Sequence, residues 1–336
     1  MVSHSVMERN LTLDVLRGIA ASSVLLFHYT YGYREYYGHI LNPKYDFIYG
    51  NLGVELFFII SGYVIFSSIT KVNSAKNFLF RRFSRIYPTF WFCMFVSFFL
   101  VILFLPGHVE NYQLKWTATM ISSFFGCKPT EGVYWTLLYE FFFYIQIALL
   151  LFLKQIDNII WWGVLQLSLI WINAFTHLFN IKFCMAANLD WGMLFFVGIL
   201  FYKLKNSSDK GKWSIHVLIA LCYLTSCITL QFFSERIAVL IFFIIFYLFS
   251  FGLLDWVKWK PFIFLGSISY PLYLLHMSIG YIIMNAIKGY FTFSPFIFIC
   301  IPALIVVLLA YFVHRFIETP TNKYLRGNKY LIFLFK

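Results

Sequence analysis

Charged residues are scarce in this chain, and their scarcity argues against a soluble protein. Asp, Glu, Lys and Arg make up 12% of the 336 residues, about half of the ~25% usual in soluble domains. Hydrophobic residues make up 61%, and many fall in runs of about 20 residues, the length that crosses a ~30 Å hydrocarbon core. The composition therefore predicts an all-α, polytopic membrane helix bundle.

Signals of several other protein classes are missing as well. The chain has no C-x-x-C pair and no close histidine pair such as H-x-x-x-H, so the sequence predicts no metal site. The net charge is +12, but no stretch of the sequence combines a basic face with a soluble domain. This argues against nucleic-acid binding. Cys127 and Cys184 both fall in predicted external loops, and the sequence leaves open whether they form a disulfide.

Ten segments have the length and hydropathy of membrane-spanning helices. They lie near residues 11–31, 51–70, 86–105, 134–153, 159–177, 188–204, 214–231, 237–255, 262–284 and 295–314. The chain shows no internal repeat and no appended soluble domain. We therefore expect residues 1–336 to form a single membrane domain that carries the function itself.

The distribution of Lys and Arg predicts the orientation of these spans. Segments on the side of the N-terminus hold 18 of the basic residues, and loops on the opposite side hold 7. Basic residues accumulate on the cytoplasmic side of membrane proteins and are attracted to anionic lipid headgroups there. The sequence thus predicts an even number of spans with both termini cytoplasmic.

The first span, in "LDVLRGIAASSVLLFHYTYGY", contains Asp14, Arg17 and His28. Arg17 and His28 are eleven residues apart, which places them on one helix face about 16 Å apart along the axis. Charged groups within a span are costly and usually face the bundle interior. Asp14 can pair with Arg17, and an ion pair that only anchors the helix end remains an alternative.

Polar residues at a similar predicted depth recur on three other spans. Glu55, Glu140 in "YWTLLYEFFFY" and His276 in "SYPLYLLHM" all fall in the outer part of the bundle, as His28 does. Leaving such groups unpaired in hydrocarbon costs several kcal/mol each. We therefore predict that the four side chains converge on one polar cavity, although separately hydrated side chains remain an alternative.

The stretch "FLFRRFSRIYPTFW" places Arg81, Arg82 and Arg85 at the cytoplasmic start of the third span. The planar guanidinium group binds phosphate through paired hydrogen bonds. The cluster thus suits a ligand that carries phosphate, and it also suits a simple cytoplasmic anchor.

The stretch "YFVHRFIETP" places Glu318 at the cytoplasmic end of the last span. Arg315 lies three residues before Glu318 and can pair with it. We expect Pro320 to end this helix. In "GVELFFIISGYVIF", Ser61 and Gly62 are small residues that favour close helix packing.

Taken in order, these motifs resemble the acyltransferase-three family of integral membrane acyltransferases over almost the full length. The resemblance runs through "LDVLRGIAASSVLLFH", "GVELFFIISGYVI", "RRFSRIYP", "WTLLYEFFFY", "SYPLYLLH" and "FIETP". It implies a bacterial inner-membrane enzyme that moves an acyl group, commonly acetyl, from cytoplasmic acyl-CoA to a carbohydrate. By this resemblance, His28 corresponds to the family's catalytic histidine and Arg17 to its companion. Arg81, Arg82 and Arg85 correspond to its basic motif, and Glu318 corresponds to a C-terminal acidic position.

The mechanism expected from these residues starts with CoA at the arginine cluster and its arm extending past Arg17. Neutral His28 acts as general base on a sugar hydroxyl, oriented by Glu55. Glu140 and His276 either line the acceptor side or share the proton. Direct transfer and a covalent acyl-histidine both stay open, and we expect no permanently bound cofactor.

Two other functional classes fit part of the sequence. A proton-coupled transporter of an anionic molecule also places His and Glu at membrane depth, but it more often has repeated halves. A non-catalytic membrane scaffold leaves the predicted polar cluster without a purpose. The sequence does not predict the acceptor sugar, the acyl chain or the oligomeric state.

Overall fold

Fifteen α-helices, joined by short 3₁₀ and π segments, make up most of the described part of the chain. The structure is a computed structural model that describes residues 10–38, 42–69, 72, 74–105, 113–206, 213–290, 294–328 and 331. The helices are α1 (Leu11–Phe27), α2 (Tyr33–Tyr37), α3 (Gly53–Ile69), α4 (Ala75–Phe104), α5 (Leu114–Thr117), α6 (Trp135–Phe152), α7 (Ile159–Thr176), α8 (Ile181–Ala187), α9 (Gly192–Asn206), α10 (Trp213–Thr229), α11 (Phe233–Ser250), α12 (Lys260–Ser267), α13 (Ser269–Ile287), α14 (Pro295–Val313) and α15 (Thr319–Gly327).

The predicted multi-pass bundle is confirmed. Within the described residues, nine helical segments are long and apolar enough to cross a membrane. The remaining predicted span, near residues 214–231, corresponds to α10, a shorter apolar helix of 17 residues. The described segments contain no β-strand, so the all-α prediction is also confirmed.

The orientation of the bundle remains a prediction, because several basic residues that support it lie outside the described residues. These are Arg9, Lys71, Lys210, Lys212, Lys329 and Lys336. We call the end near the start of α1 the inner end and the opposite one the outer end. Cys127 and Cys184, whose pairing the sequence left open, are both free thiols.

Glycines let two pairs of helices approach to backbone contact. On α3, a Cβ atom added to Gly62 would lie 2.0 Å from the carbonyl oxygen of Phe195 on α9. On α1, a Cβ atom added to Gly18 would lie 2.1 Å from the carbonyl oxygen of Phe262 on α12. The predicted packing role of Gly62 is therefore confirmed, and these contacts fix the two helices that carry Glu55 and Arg17.

Substituting Gly62→Ala is expected to lower the melting temperature in detergent by a few degrees. The added methyl group must push α3 and α9 apart, and overpacking of this kind costs about 1–3 kcal/mol. Thermal unfolding followed by intrinsic fluorescence measures the change. Gly289→Ala is the matched control, because a Cβ atom there meets nothing within 4 Å. Equal melting temperatures for the two variants would contradict the close contact.

The span predicted over 262–284 is divided into two helices. α12 ends at Ser267, α13 begins at Ser269, and Ile268 lies between them. Pro271 explains the break, because its ring would clash with the carbonyl of the residue four positions earlier, Ser267, in a continuous helix. The longer helix α13 carries His276 into the bundle.

Pro320 does not end the last helix, contrary to our prediction. His314–Glu318 forms a π segment, and α15 continues from it to Gly327. Pro320 is the second residue of α15 and directly follows the π segment. The change from π to α geometry already interrupts the regular backbone hydrogen bonds there, so the missing N–H of proline costs less than in a regular helix interior. The continuation brings Lys323 and Arg326 back over the inner end of the bundle.

Candidate active site

An outer cavity of about 610 Å³ is lined by His28 and Glu55. It lies where α1 ends, where α3 and α6 begin, and beside the middle of α13. The regular α-helix gives way to a π segment at His28–Gly32, and π segments inside helices frequently mark functional sites. Gly32 keeps this space open, because a Cβ atom on it would lie 2.7 Å from the hydroxyl of Tyr281.

His28 contacts two residues of α13. Its Nδ1 atom lies 3.3 Å from the hydroxyl oxygen of Tyr281, and its ring centroid lies 5.0 Å from that of His276. The sequence analysis identified His276 but not Tyr281. Tyrosine is common in this chain, with 23 residues, so no sequence signal distinguishes Tyr281 from the others.

His276 is held in one tautomer when it is neutral. Its Nδ1 atom lies 2.9 Å from the carbonyl oxygen of Tyr273. A carbonyl oxygen only accepts hydrogen bonds, so Nδ1 carries the proton and Nε2 holds a free lone pair. The residue is 1% exposed, and within the described residues its Nε2 atom has no hydrogen-bond partner. A buried proton acceptor therefore lies next to His28.

Two buried carboxylates belong to this outer region. Glu55 is 5% exposed, and its Oε2 atom has no hydrogen-bond partner among the described residues. The Nδ1 atom of His28 meets Tyr281 rather than Glu55, so the orienting role of Glu55 stays a prediction. Glu131 accepts hydrogen bonds from the Ser278 hydroxyl at 2.7 Å and the Ser278 backbone N–H at 3.2 Å. The sequence analysis missed Glu131 because it precedes the predicted span.

A narrower middle cavity of about 120 Å³ adjoins the outer one and shares Val54 and Tyr273 with it. Arg17, Arg82, Arg85 and Glu140 supply its charged groups, and most of its other lining residues are apolar. Its four charges sum to a net positive charge, so the cavity attracts anions.

Glu140 lies in this middle cavity rather than beside His28. It accepts hydrogen bonds from the hydroxyls of Ser61, at 3.3 Å, and Tyr144. The prediction that four polar residues share one cavity is therefore wrong for Glu140. His276 lies beside His28 but does not line the outer cavity either. Glu55 lies in the first turn of α3, whereas Glu140 is the sixth residue of α6 and reaches about a turn deeper toward the arginines.

An inner cavity of about 640 Å³ completes the series. It shares Arg17, Arg85, Ser269 and Tyr270 with the middle cavity. Its remaining charged or titratable lining residues are Asp14, His314, Glu318, Lys323 and Arg326. Three adjoining cavities thus follow one another from the inner end of the bundle to His28.

Comparison with known proteins identifies the family of this chain. Residues 10–314 match the family described as the acyltransferase domain, the third of the acyltransferase families. The chain belongs to the acyltransferase-three family. No solved structure matches it.

Two curated relatives extend the family assignment. Nodulation protein 10 of Rhizobium leguminosarum bv. viciae is 26% identical over 170 residues, which are 44% of this chain and 46% of that protein. The match thus spans less than half of that relative. The putative acetyltransferase ORF330 of Acidianus two-tailed virus is 26% identical over 292 residues, or 82% of this chain and 86% of that protein.

In this acyltransferase-three member the arginine cluster is divided among different surroundings. Arg81 donates from Nε to the side-chain oxygen of Asn77 at 2.6 Å and does not line the three cavities. Arg82 is 8% exposed and donates to the Ser68 hydroxyl at 2.6 Å. Only Arg82 and Arg85 line the cavities. Arg81 lies about one helical turn before Arg85, nearer the start of α4.

Arg326 is a further cation of the inner cavity. It was not among the predicted site residues. Its Nη2 atom donates to the carbonyl oxygen of Arg81 at 2.8 Å, and its Nε atom lies 3.4 Å from the Ser84 hydroxyl. These contacts hold the guanidinium group of α15 against α4. The expected helix end at Pro320 concealed it, because residues after a helix end have no predictable position.

The two predicted acidic residues of the inner end both line the inner cavity. Asp14 pairs with Arg17 at 3.6 Å, which confirms their predicted contact. Glu318 pairs with His314 at 2.8 Å instead of Arg315, which is exposed. The wider turn of the π segment changes which neighbours share a helix face.

Proposed function

We propose that this protein transfers an acyl group, most simply acetyl, from cytoplasmic acyl-CoA to a hydroxyl of a carbohydrate that is exported or exposed at the cell surface. The proposed location is a bacterial inner membrane. The observation that carries the proposal is the series of three adjoining cavities, which leads from a cationic inner end to His28, whose ring lies beside that of His276.

The inner cavity suits the phosphate groups of CoA. Arg17, Arg85, Lys323 and Arg326 supply four cationic side chains against the carboxylates of Asp14 and Glu318. Hydrogen bonds between guanidinium groups and phosphate are short and roughly twice as strong as neutral ones. In this proposal CoA, as a substrate and not a resident cofactor, docks from the cytoplasm at this cavity.

The middle cavity suits the slender pantetheine arm of CoA. Its walls are mainly apolar, with residues such as Phe57, Val64 and Leu137. Arg17 and His28 lie about 16 Å apart along α1, so an extended arm that starts near Arg17 delivers its thioester toward the outer cavity. The carbohydrate enters that cavity from the opposite side of the membrane.

In the proposed reaction, His28 removes the proton of a sugar hydroxyl as general base. The hydroxyl oxygen attacks the thioester carbonyl, the carbon–sulfur bond breaks, and the CoA thiolate takes up the proton from His28. The buried carboxylate of Glu55 supplies negative charge in the same cavity and stabilises the histidine cation. A covalent acyl-histidine yields the same products in two steps.

Acyl transfer is tested with purified protein in detergent, radiolabelled acetyl-CoA and glycans extracted from the organism that carries the gene. The expected result is label covalently bound to glycan. A proton-coupled transporter needs two compartments and gives no label in detergent, so label accumulation only in sealed vesicles with a proton gradient would overturn the proposal. Mass spectrometry of surface glycans with and without the gene then identifies the acyl group and the acceptor.

Substituting Arg326→Ala is expected to raise the KM for acetyl-CoA roughly 10- to 100-fold, the loss of one charge-assisted hydrogen bond. Turnover of S-acetylpantetheine, which lacks the nucleotide, should change little. Arg315→Ala is the matched control, because Arg315 is an exposed arginine at the same end of the bundle. An equal loss with both thioester donors would instead indicate a structural role for Arg326.

Substituting Tyr281→Phe is expected to lower kcat about two- to tenfold, the effect of losing one hydrogen bond. In the proposed reaction the Tyr281 hydroxyl oxygen accepts a hydrogen bond from the Nδ1–H group of His28 and so leaves Nε2 as the base. The KM for acetyl-CoA should stay unchanged. The acidic limb of the pH–rate profile, which reports protonation of the general base, should shift. Tyr290→Phe is the control, since Tyr290 is 79% exposed. Wild-type kcat and pH profile in Tyr281→Phe would exclude this role.

A further inference from the structure

The outer and inner cavities carry opposite charge. The described walls of the outer cavity include three carboxylates, Glu35, Glu55 and Glu235, and no Lys or Arg. The walls of the inner cavity include four cationic side chains and two carboxylates. Because the proposed donor is anionic and enters the inner cavity, the acidic outer cavity must serve a ligand of different charge.

Glu55 shows that the outer cavity is built to receive a polar ligand. The side chain is 5% exposed and lines the cavity, and its Oε2 atom has no hydrogen-bond partner within the described residues. Buried carboxylate oxygens are normally hydrogen-bonded. A sugar hydroxyl or an ammonium group, both of which donate hydrogen bonds, would satisfy this oxygen, whereas a second carboxylate would not.

The arginines that neighbour Glu35 and Glu235 in the sequence contact other partners. Arg34 pairs with Asp46 at 2.6 Å, and its distance to Glu35 is 3.6 Å. Arg236 donates from Nη2 to the carbonyl oxygen of Leu230 at 2.9 Å. Neither arginine lines the outer cavity, so neither cancels the charge of Glu55 and Glu235 within it.

Aromatic side chains form much of the remaining wall. Trp135 and Trp191 lie with ring centroids 5.8 Å apart and planes inclined by 44°, and Tyr36 is 61% exposed at the rim. Flat rings combined with a few polar groups suit a ligand that has an apolar face and hydroxyl edges. A pyranose ring has this form, and aromatic faces also attract ammonium groups.

We infer that the outer cavity binds a glycan unit without negative charge, either a neutral sugar or an amino sugar, and that it rejects uronic acids and other acidic sugars. This inference rests on the proposed function, since it names the acceptor class of the same transfer. Like charges held close together in a partly desolvated site repel strongly. The more exposed wall carboxylates, Glu35 and Glu235, therefore exclude an anionic acceptor, for which the described wall offers no Lys or Arg.

The experiment uses the full chain in detergent with labelled acetyl-CoA. Glycans from the organism that carries the gene are divided by anion exchange into an acidic pool and a pool without negative charge, and mass spectrometry locates the labelled unit. The expected result is a preference of about tenfold or more for units without negative charge. Label on uronic acids or other acidic units at equal efficiency would overturn the inference but leave the proposed function standing. Absence of label from both pools would overturn both.

A charge variant tests whether the cavity walls cause this preference. Glu235→Gln removes one wall charge. Its amide oxygen can still accept the hydrogen bond that the Phe232 backbone N–H donates to Glu235 at 3.3 Å. We expect the preference to fall severalfold in this variant. Asp157→Asn is the matched control, because Asp157 is an exposed carboxylate outside the three cavities. An unchanged preference in Glu235→Gln, or the same fall in Asp157→Asn, would contradict the assignment.

Discussion

Substituting His28→Gln is expected to lower kcat for acyl transfer by about 10²–10⁴-fold, the usual contribution of a general base. Glutamine is similar in size and polarity to histidine, but its amide does not accept a proton near neutral pH. The KM for acetyl-CoA should remain close to that of the wild type, because the proposed docking site lies at the inner cavity. Steady-state transfer of labelled acetyl groups in detergent measures both constants.

The matched control for His28 is His177→Gln. His177 is an exposed histidine, and it does not line any of the three cavities. The control should retain wild-type kcat, and both variants should keep the wild-type melting temperature. Wild-type transfer by His28→Gln would remove His28 from the chemistry. In that case His276, whose buried Nε2 atom has no partner among the described residues, would be the next candidate base.

Substituting Arg17→Ala is expected to lower kcat/KM for acetyl-CoA about 100-fold, because charge-assisted hydrogen bonds contribute roughly 1.5–3 kcal/mol each. Arg17 lines both the inner and the middle cavity, the position that the donor must pass. Among the described residues, Arg17 forms one ion pair, with Asp14 at 3.6 Å. Much of the guanidinium group therefore remains available to a ligand.

Arg17→Lys distinguishes two roles for this residue. If the planar guanidinium group binds the donor through paired hydrogen bonds, lysine should recover only a small part of the activity. If the residue supplies charge alone, lysine should recover most of it. We expect the first result, since a compact ammonium group cannot contact two cavities at once. Wild-type kcat/KM in Arg17→Ala would contradict both roles and leave the ion pair with Asp14 as a helix anchor.

The membrane character of the protein could be predicted from local sequence. Length and apolar composition are enough to mark a helix that spans hydrocarbon, because the backbone must satisfy its hydrogen bonds within the segment. The pairing of Asp14 with Arg17 was also predictable from local sequence, because residues three apart on one helix are neighbours. Six motifs also sufficed to indicate the family, which the match over residues 10–314 bears out.

The composition of each cavity could not be predicted, because it depends on how far each helix is inserted relative to its neighbours. A difference of one turn separates Glu140 from Glu55 and places it with the arginines instead of His28. Tyr281 meets His28 only because α1 and α13 pack together, and nothing in the spacing of α13 identifies it.

The sequence by itself determined the helices, their apolar surfaces and the individual residues able to bind phosphate or accept a proton. The tertiary structure alone decided that Arg326 joins Arg17 and Arg85, that Arg81 lines none of the three cavities, and that the outer cavity is acidic. The physical reason is one of range. Helix formation and pairing within a helix depend on neighbours within about four residues, whereas a cavity is formed by side chains whose helices meet only after the bundle has packed.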